Sequence, residues 1–148
     1  MPLAPNVISV VFDTVVVLRA YINPGSRWGR LLRQHADRYR LIVSPALVAE
    51  YLDVLLRPEL LDRFATLAYL DTAAVFALLA RTDVVRPANV PAICRDPKDD
   101  MILATAATGH ATYIVSEDRD LFDLGTHGEI RIVGASEFLA VLNEWERR

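Results

Sequence analysis

The chain has 148 residues, 53% hydrophobic and 24% charged, a length that suits one domain over residues 1–148 and that buries roughly 70% of its unfolded surface. Its one cysteine, Cys94, excludes a disulfide framework and a multi-cysteine zinc site, and no apolar run approaches the roughly 20 residues of a membrane span. A net charge of −3, from 19 acids and 16 bases, argues against a general nucleic-acid coat protein. The opening residues Met1–Asn6 lack the basic region and cleavage pattern of a secretory leader, so a soluble, cytoplasmic domain is expected. The charge is uneven. Residues 1–40 carry six arginines (Arg19, Arg27, Arg30, Arg33, Arg38, Arg40) against Asp13 and Asp37, whereas Asp96–Asp123 carries six aspartates and Glu117. A basic first quarter and an acidic later segment can form a phosphate-binding rim around an acidic metal pocket, or simply two solvated faces.

In chain order, Val7–Phe12 is β-branched and apolar, the pattern of a buried central strand ending at Asp13. Asn23-Pro24-Gly25-Ser26 is a turn, with Ser26 capping a helix that carries Trp28, Leu31, Leu32 and His35. Leu41–Val43 reads as a short strand. Ser44-Pro45 then opens a helix bearing Leu47, Glu50, Tyr51 and Val54. Arg57-Pro58 interrupts it, Pro58–Phe64 starts another, and Asp71 caps a third around Val75, Leu78 and Leu79. A brief strand at Val84-Val85 leads through a proline-containing loop to a helix from Lys98 to Ala107, stopped by Gly109. Tyr113–Val115 and Ile130–Val133 are strands, and Ser136 caps a last helix through Trp145. Strands separated by helices give an α/β fold with a parallel sheet covered on both faces. Ligands in such sheets bind at the carboxyl ends of strands, which points at Asp13 and Ser116–Asp118 together.

Four acids stand where acids are costly. Asp13 ends an apolar strand. Glu50 shares a helical stripe with Leu47, Tyr51 and Val54. Asp100 is followed at three, four and seven positions by Leu103, Ala104 and Ala107, although a first-turn acid is also favoured by the helix dipole. Asp118 follows Tyr113–Val115, where an Asx-turn or helix cap is the plainer explanation. Together they bring four carboxylates to one end of one sheet, an arrangement that asks for a cation. Oxygen donors without a His or Cys set favour Mg²⁺ or Mn²⁺ over Zn²⁺. His35, His110 and His127 have no ligand spacing and read as ordinary surface or packing residues. Clustered carboxylates with such ions suit phosphodiester hydrolysis.

The chain resembles the PIN-domain ribonucleases, particularly the toxins of VapBC-type toxin–antitoxin pairs. The carriers are Val11-Phe12-Asp13-Thr14, Ser44–Glu50, Arg95–Ala106 and Tyr113–Leu121, four short motifs in order over most of the chain. The resemblance implies a three-layer α/β/α fold and Mg²⁺- or Mn²⁺-dependent cleavage of single-stranded RNA. Residue by residue, it places the family's acids at Asp13, Glu50, Asp100 and Asp118, as metal ligands. Asp96 and Asp99 are alternatives or supporting groups, Ser116 takes the small hydroxyl position, and Asp120 is a neighbour. It also implies an antitoxin partner and a homodimer; an antitoxin arginine placed among the acids would silence cleavage.

One position departs from the family pattern. Where a polar residue, often Asn, usually stands two residues after the first acid, this chain has Val15, which cannot hydrogen-bond a carboxylate. Losing such support typically costs about 10–100-fold in metal affinity or activity, so a PIN-like module that binds RNA or a partner without cutting is the competing expectation. A haloacid-dehalogenase-type phosphatase would need an acid at position 15, and a receiver domain would need a strand-end lysine; Lys98, the only lysine, lies between acids. Arg27, Arg30 and Arg33 could steer an RNA backbone. The apolar run Leu52–Phe64, continuing through Leu67 and Tyr69, suits either core packing or a groove for a partner helix.

Overall fold

The computed structural model describes residues 7–68 and 72–146. Six strands form one sheet: β1 (Ile8–Phe12), β2 (Tyr39–Val43), β3 (Asp83–Val84), β4 (Tyr113–Val115), β5 (Thr126–His127) and β6 (Ile130–Val133), in the order β3-β2-β1-β4-β6-β5. All pairings are parallel except β5 with β6. The helices are α1 (Thr14–Ile22), α2 (Arg27–Arg33), α3 (Pro45–Leu55), α4 (Pro58–Arg63), α5 (Ala65–Ala68), α6 (Thr72–Ala80), α7 (Pro97–Thr108), α8 (Arg119–Leu124) and α9 (Ala135–Glu146). Asp71, expected as a cap, lies outside the described residues.

Strand periodicity assigns the layers. Ile8, Val10 and Phe12 share a face with Tyr39 and Tyr113, and there Phe12, Tyr39 and Tyr113 meet Phe138 of α9 edge-on at 5.6–6.2 Å. The Tyr39 hydroxyl donates to the carbonyl of Leu31 and brings α2 to the same side. Ser9, Val11, Ile42 and Ile114 point the other way, toward α7: the Ser9 hydroxyl donates to the His110 carbonyl at its end. Helices thus cover both faces of a sheet whose central strand, β1, is buried along its whole length, the three-layer α/β arrangement expected. Each fully buried Val, Ile or Phe here contributes about 1.5–3 kcal/mol, ample to hold a carboxylate at the end of the strand.

Local chemistry sets the helix starts. Ser26 accepts from Gly29 N–H, and Ser44 from Leu47 N–H with Pro45 at the first helical position. Two details differ from the sequence pattern. Gly109 keeps an ordinary helical φ of −85°, and His110 takes the left-handed turn at φ 53°. Glycine is needed at 109 for closeness: a Cβ there would stand 2.6 Å from the Ile42 side chain. The last helix begins at Ala135, one residue before the expected cap Ser136. Helix α1, with its Thr14-Val15-Val16-Val17 start, is not signalled by its own composition. Burial of Val16, Val17, Ala20 and Tyr21 overrides the β-branched propensity.

The apolar run of α3–α5 is mostly packed. Val54, Leu55 and Leu67 are buried, and Leu52, Leu60, Leu61 and Phe64 lie against the core, while Leu56 stands 61% exposed. Tyr69 lies outside the described residues. No helix among the described residues is long and apolar enough to cross a membrane.

Candidate metal centre

The chain runs outward from β1 to β3 on one side and from β4 to the far edge on the other, so the order reverses between β1 and β4. That switch point is where a crevice opens at the carboxyl ends of parallel strands. Asp13 follows β1 there and Ser116 follows β4, stitched by Asp13 N–H to Val115 C=O and Ser116 N–H to Val133 C=O, both 3.0 Å.

Asp13 occupies the N-cap position of α1, yet its side chain caps nothing in that helix. It is buried, and its Oδ2 accepts from the Ser116 hydroxyl at 2.7 Å. Burial pushes its pKa up, the Ser116 hydrogen bond pulls it down, and the charges of Asp118 and Glu50 push it up again. The Ser116 oxygen also accepts from Asp118 N–H at 2.9 Å, so one hydroxyl sets the mutual position of two acids. Beneath them Tyr51, fully buried on α3, donates a short hydrogen bond to the Phe12 carbonyl and fixes the end of β1.

Carboxylate oxygens of Asp99, Asp118 and Asp120 all lie within 4.8 Å of one another. Asp99 comes from the first turn of α7; Asp118 caps α8, accepting from Asp120 N–H at 2.8 Å. Asp99 is 6% exposed with no side-chain hydrogen bond. Its pKa is pushed up to about 7 by burial and by the charges of Asp118, Asp13, Asp96 and Asp120.

The structure brings Asp99, the alternative, to this group and not Asp100, the residue that the sequence ranks first. Asp100 is equally buried but turns to the preceding loop, where Oδ1 accepts from Ile93 N–H at 3.0 Å and Cys94 N–H at 2.7 Å. Those bonds hold its carboxyl below the usual range. The reason is angular: consecutive helix residues point about 100° apart, so only one of the two can face the strand ends. Asp96 acts as the α7 N-cap, accepting from Lys98 N–H at 3.0 Å, and its charge helps to raise the pKa of Asp99. Glu50 sits at the edge of the group, 20% exposed, with Oε1 at 3.6 Å from Lys98 Nζ. Asp120, which the sequence offers only as a neighbour of Asp118, is a full member of the cluster, and Arg95 Nη2 stands 3.6 Å from it.

The donor set fits a hard divalent cation. It is all oxygen, four of its carboxylates repel one another, and beside Asp13 the buried Thr14 hydroxyl oxygen has no partner. A cation bound among them would offset the burial and the like charges that raise Asp99. Among the described residues, no histidine or cysteine joins the three-acid group.

No curated protein sequence is significantly similar to the chain. A family model described as PIN domain matches residues 9–120, a span that runs from β1 to the start of α8 and holds Asp13, Glu50, Asp99, Asp118 and Asp120. With the α/β sheet, the reversal between β1 and β4 and the acids gathered there, that match shows that the chain belongs to the PIN-domain family.

Proposed function

We propose that the protein is a divalent-cation-dependent endoribonuclease that cleaves single-stranded RNA. The observation that supports it most is the convergence of Asp99, Asp118 and Asp120 beside buried Asp13, at the switch point of a PIN-domain sheet. Asp13, Asp99, Asp118 and Asp120 would hold Mg²⁺ or Mn²⁺, with Glu50 at the margin. The chemistry such an ion supplies when bound is activation of water and neutralisation of the leaving oxygen. The chain's own part is positional. Ser116 holds Asp13 and the Asp118 backbone in register, Tyr51 fixes the β1 end, and Lys98 offsets the charge of Glu50. No side chain is asked to act as a nucleophile.

The toxin role, an antitoxin partner and a homodimer are proposals that rest on the likeness to VapBC toxins. Exposed Leu56 (61%) and Phe76 (68%) offer apolar surface consistent with a partner. A second reading, an RNA- or partner-binding module without activity, draws on Val15, which is 41% exposed in the first turn of α1 and offers no polar group to the site.

The test is cleavage of a mixed RNA pool by purified protein with Mg²⁺, Mn²⁺ or EDTA, beside Asp13→Asn and Asp99→Asn. Cutting that needs the cation and vanishes in both variants supports the nuclease reading. Folded, partner-free protein that cuts with neither ion overturns it in favour of the binding module.

A further inference from the structure

An open hollow of about 580 Å³ lies between α2 and α9, lined by Ser26, Arg27, Trp28, Arg30, Ser136 and Leu139. Its composition is unlike that of the cluster. The guanidinium of Arg27 lies over the Trp28 ring at 4.4 Å, and that of Arg19, from α1, lies over the same ring at 4.8 Å. Arg19, Arg27 and Arg30 are exposed, and among the described residues none has a carboxylate within 4.0 Å. Ring stacking thus holds two cations on the surface without neutralising them.

The hollow is tied to the acids through one side chain. Glu117 Oε1 accepts from the Trp28 indole N–H at 3.2 Å and from Ala135 N–H at 3.0 Å. Ala135 precedes Ser136 of the hollow, and Glu117 precedes Asp118 of the cluster. The segment that carries Ser116 and Asp118 therefore shares its anchor with the hollow wall.

We propose that this hollow is a subsite for single-stranded RNA flanking the cleaved bond, with Arg27 and Arg30 on phosphate oxygens and Leu139, beside the guanidinium-covered Trp28 ring, against a base. Unpaired guanidiniums suit phosphate, and an aliphatic side chain next to planar guanidiniums held on an aromatic ring suits a base, which always has an apolar face. The inference rests on the nuclease reading for its substrate, but its test does not depend on cleavage.

The test is fluorescence anisotropy of a labelled single strand of about ten nucleotides, in EDTA so that nothing is cut. It compares wild type with the Arg27→Gln/Arg30→Gln double variant and with a charge-matched Arg57→Gln/Arg63→Gln double variant outside the hollow. The first variant is expected to raise Kd about tenfold and to lower the salt slope of log Kd by about 1.4, for two phosphate contacts at about 0.7 each; the second should leave both near wild type. Equal effects in the two double variants, or none in the first, would overturn the subsite. Uridine 5′-monophosphate binding as tightly as the strand would overturn it in favour of a free-nucleotide pocket. Intact RNA binding without any cation-dependent cutting would sink the nuclease reading and leave the subsite standing; cutting with Kd unchanged in the Arg27/Arg30 variant would do the reverse.

Discussion

The first turn of α7 sends neighbouring carboxylates into two different regions. On one side Asp99 enters a crowd of acids with no hydrogen bond to its side chain; on the other Asp100 receives two backbone N–H groups from the 93–94 loop. Both are 6% exposed. Burial alone therefore says little about what an acid does. The partners that meet it decide: N–H donors make a buried carboxylate structural, while other carboxylates make it a place that calls for a cation. The loop side is a closed account, and the cluster side is left open by design of the sheet topology.

The sharpest way to break this comparison is to neutralise each acid in turn. Asp99→Asn should lower cation-dependent RNA cleavage more than about 100-fold, since even supporting groups around a metal cost about 10–100-fold. Asp100→Asn should keep activity within about tenfold. Initial rates on one RNA at saturating Mg²⁺ measure both, and equal losses would erase the distinction between the two regions. Stability should sort the pair the other way. Asp100→Ala removes the acceptor of the Ile93 and Cys94 N–H groups and should lower stability, whereas Asp99→Asn in EDTA should raise it by relieving repulsion. Urea unfolding reads both signs.

Acidity gives a third contrast. Asp99 titrates at about 7 in the folded chain against its ordinary 3.8, so between those values the folded state holds a proton that the unfolded state has lost. Stability from this group is thus full below about pH 4 and is lost as pH rises toward 7; buried Asp13, also raised, acts in the same sense. Asp100, lowered, works oppositely, and its contribution is lost only as pH falls below the ordinary carboxylate range. In EDTA the stability gain of Asp99→Asn over wild type should grow from pH 4 to pH 7, read from urea midpoints at about five pH values. A difference that stays flat would mean that Asp99 is not in the acidic crowd.

Much of this was legible in the residues. The apolar runs of β1, β2, β4 and β6 and the caps Ser26 and Ser44 stand where the pattern puts them, because buried parallel strands and N-caps have strong local signatures. Asp13 and Asp118 could be found from the rule about strand ends. Asp99 could have been found too. Residues three, four and seven positions after it are Ile102, Leu103 and Ala106, all buried, whereas the corresponding stripe after Asp100 ends on exposed Ala107. What no local pattern carries is a long-range contact. The turn of Asp100 toward residues 93–94 depends on a loop without periodicity, and the membership of Asp120 depends on how α8 docks against β6. Helix α1 was hidden for a related reason: its valines favour a strand, and only packing against the sheet and α3 makes them helical.

Val15 tests whether the cluster side is fully furnished. It stands two residues after Asp13, exposed, in the turn whose Thr14 hydroxyl is buried without a partner. Two polar supports that a carboxylate or a cation's water shell could use are thus absent or idle next to the best-fixed acid of the site. Val15→Asn restores an amide at the exposed position without touching the core, so its effect on folding should stay within about 0.5 kcal/mol. If missing support limits the site, the variant should bind Mn²⁺ up to about tenfold more tightly and cleave faster by a similar factor, as titration calorimetry and cleavage rates would show. If cation affinity does not move, the acids alone set it, and the departure at position 15 is a surface substitution rather than the mark of a weakened enzyme. Activity that rises at constant affinity would place residue 15 against the RNA instead of against the acids, on the same α1 face as Arg19, four residues further along the helix and over Trp28.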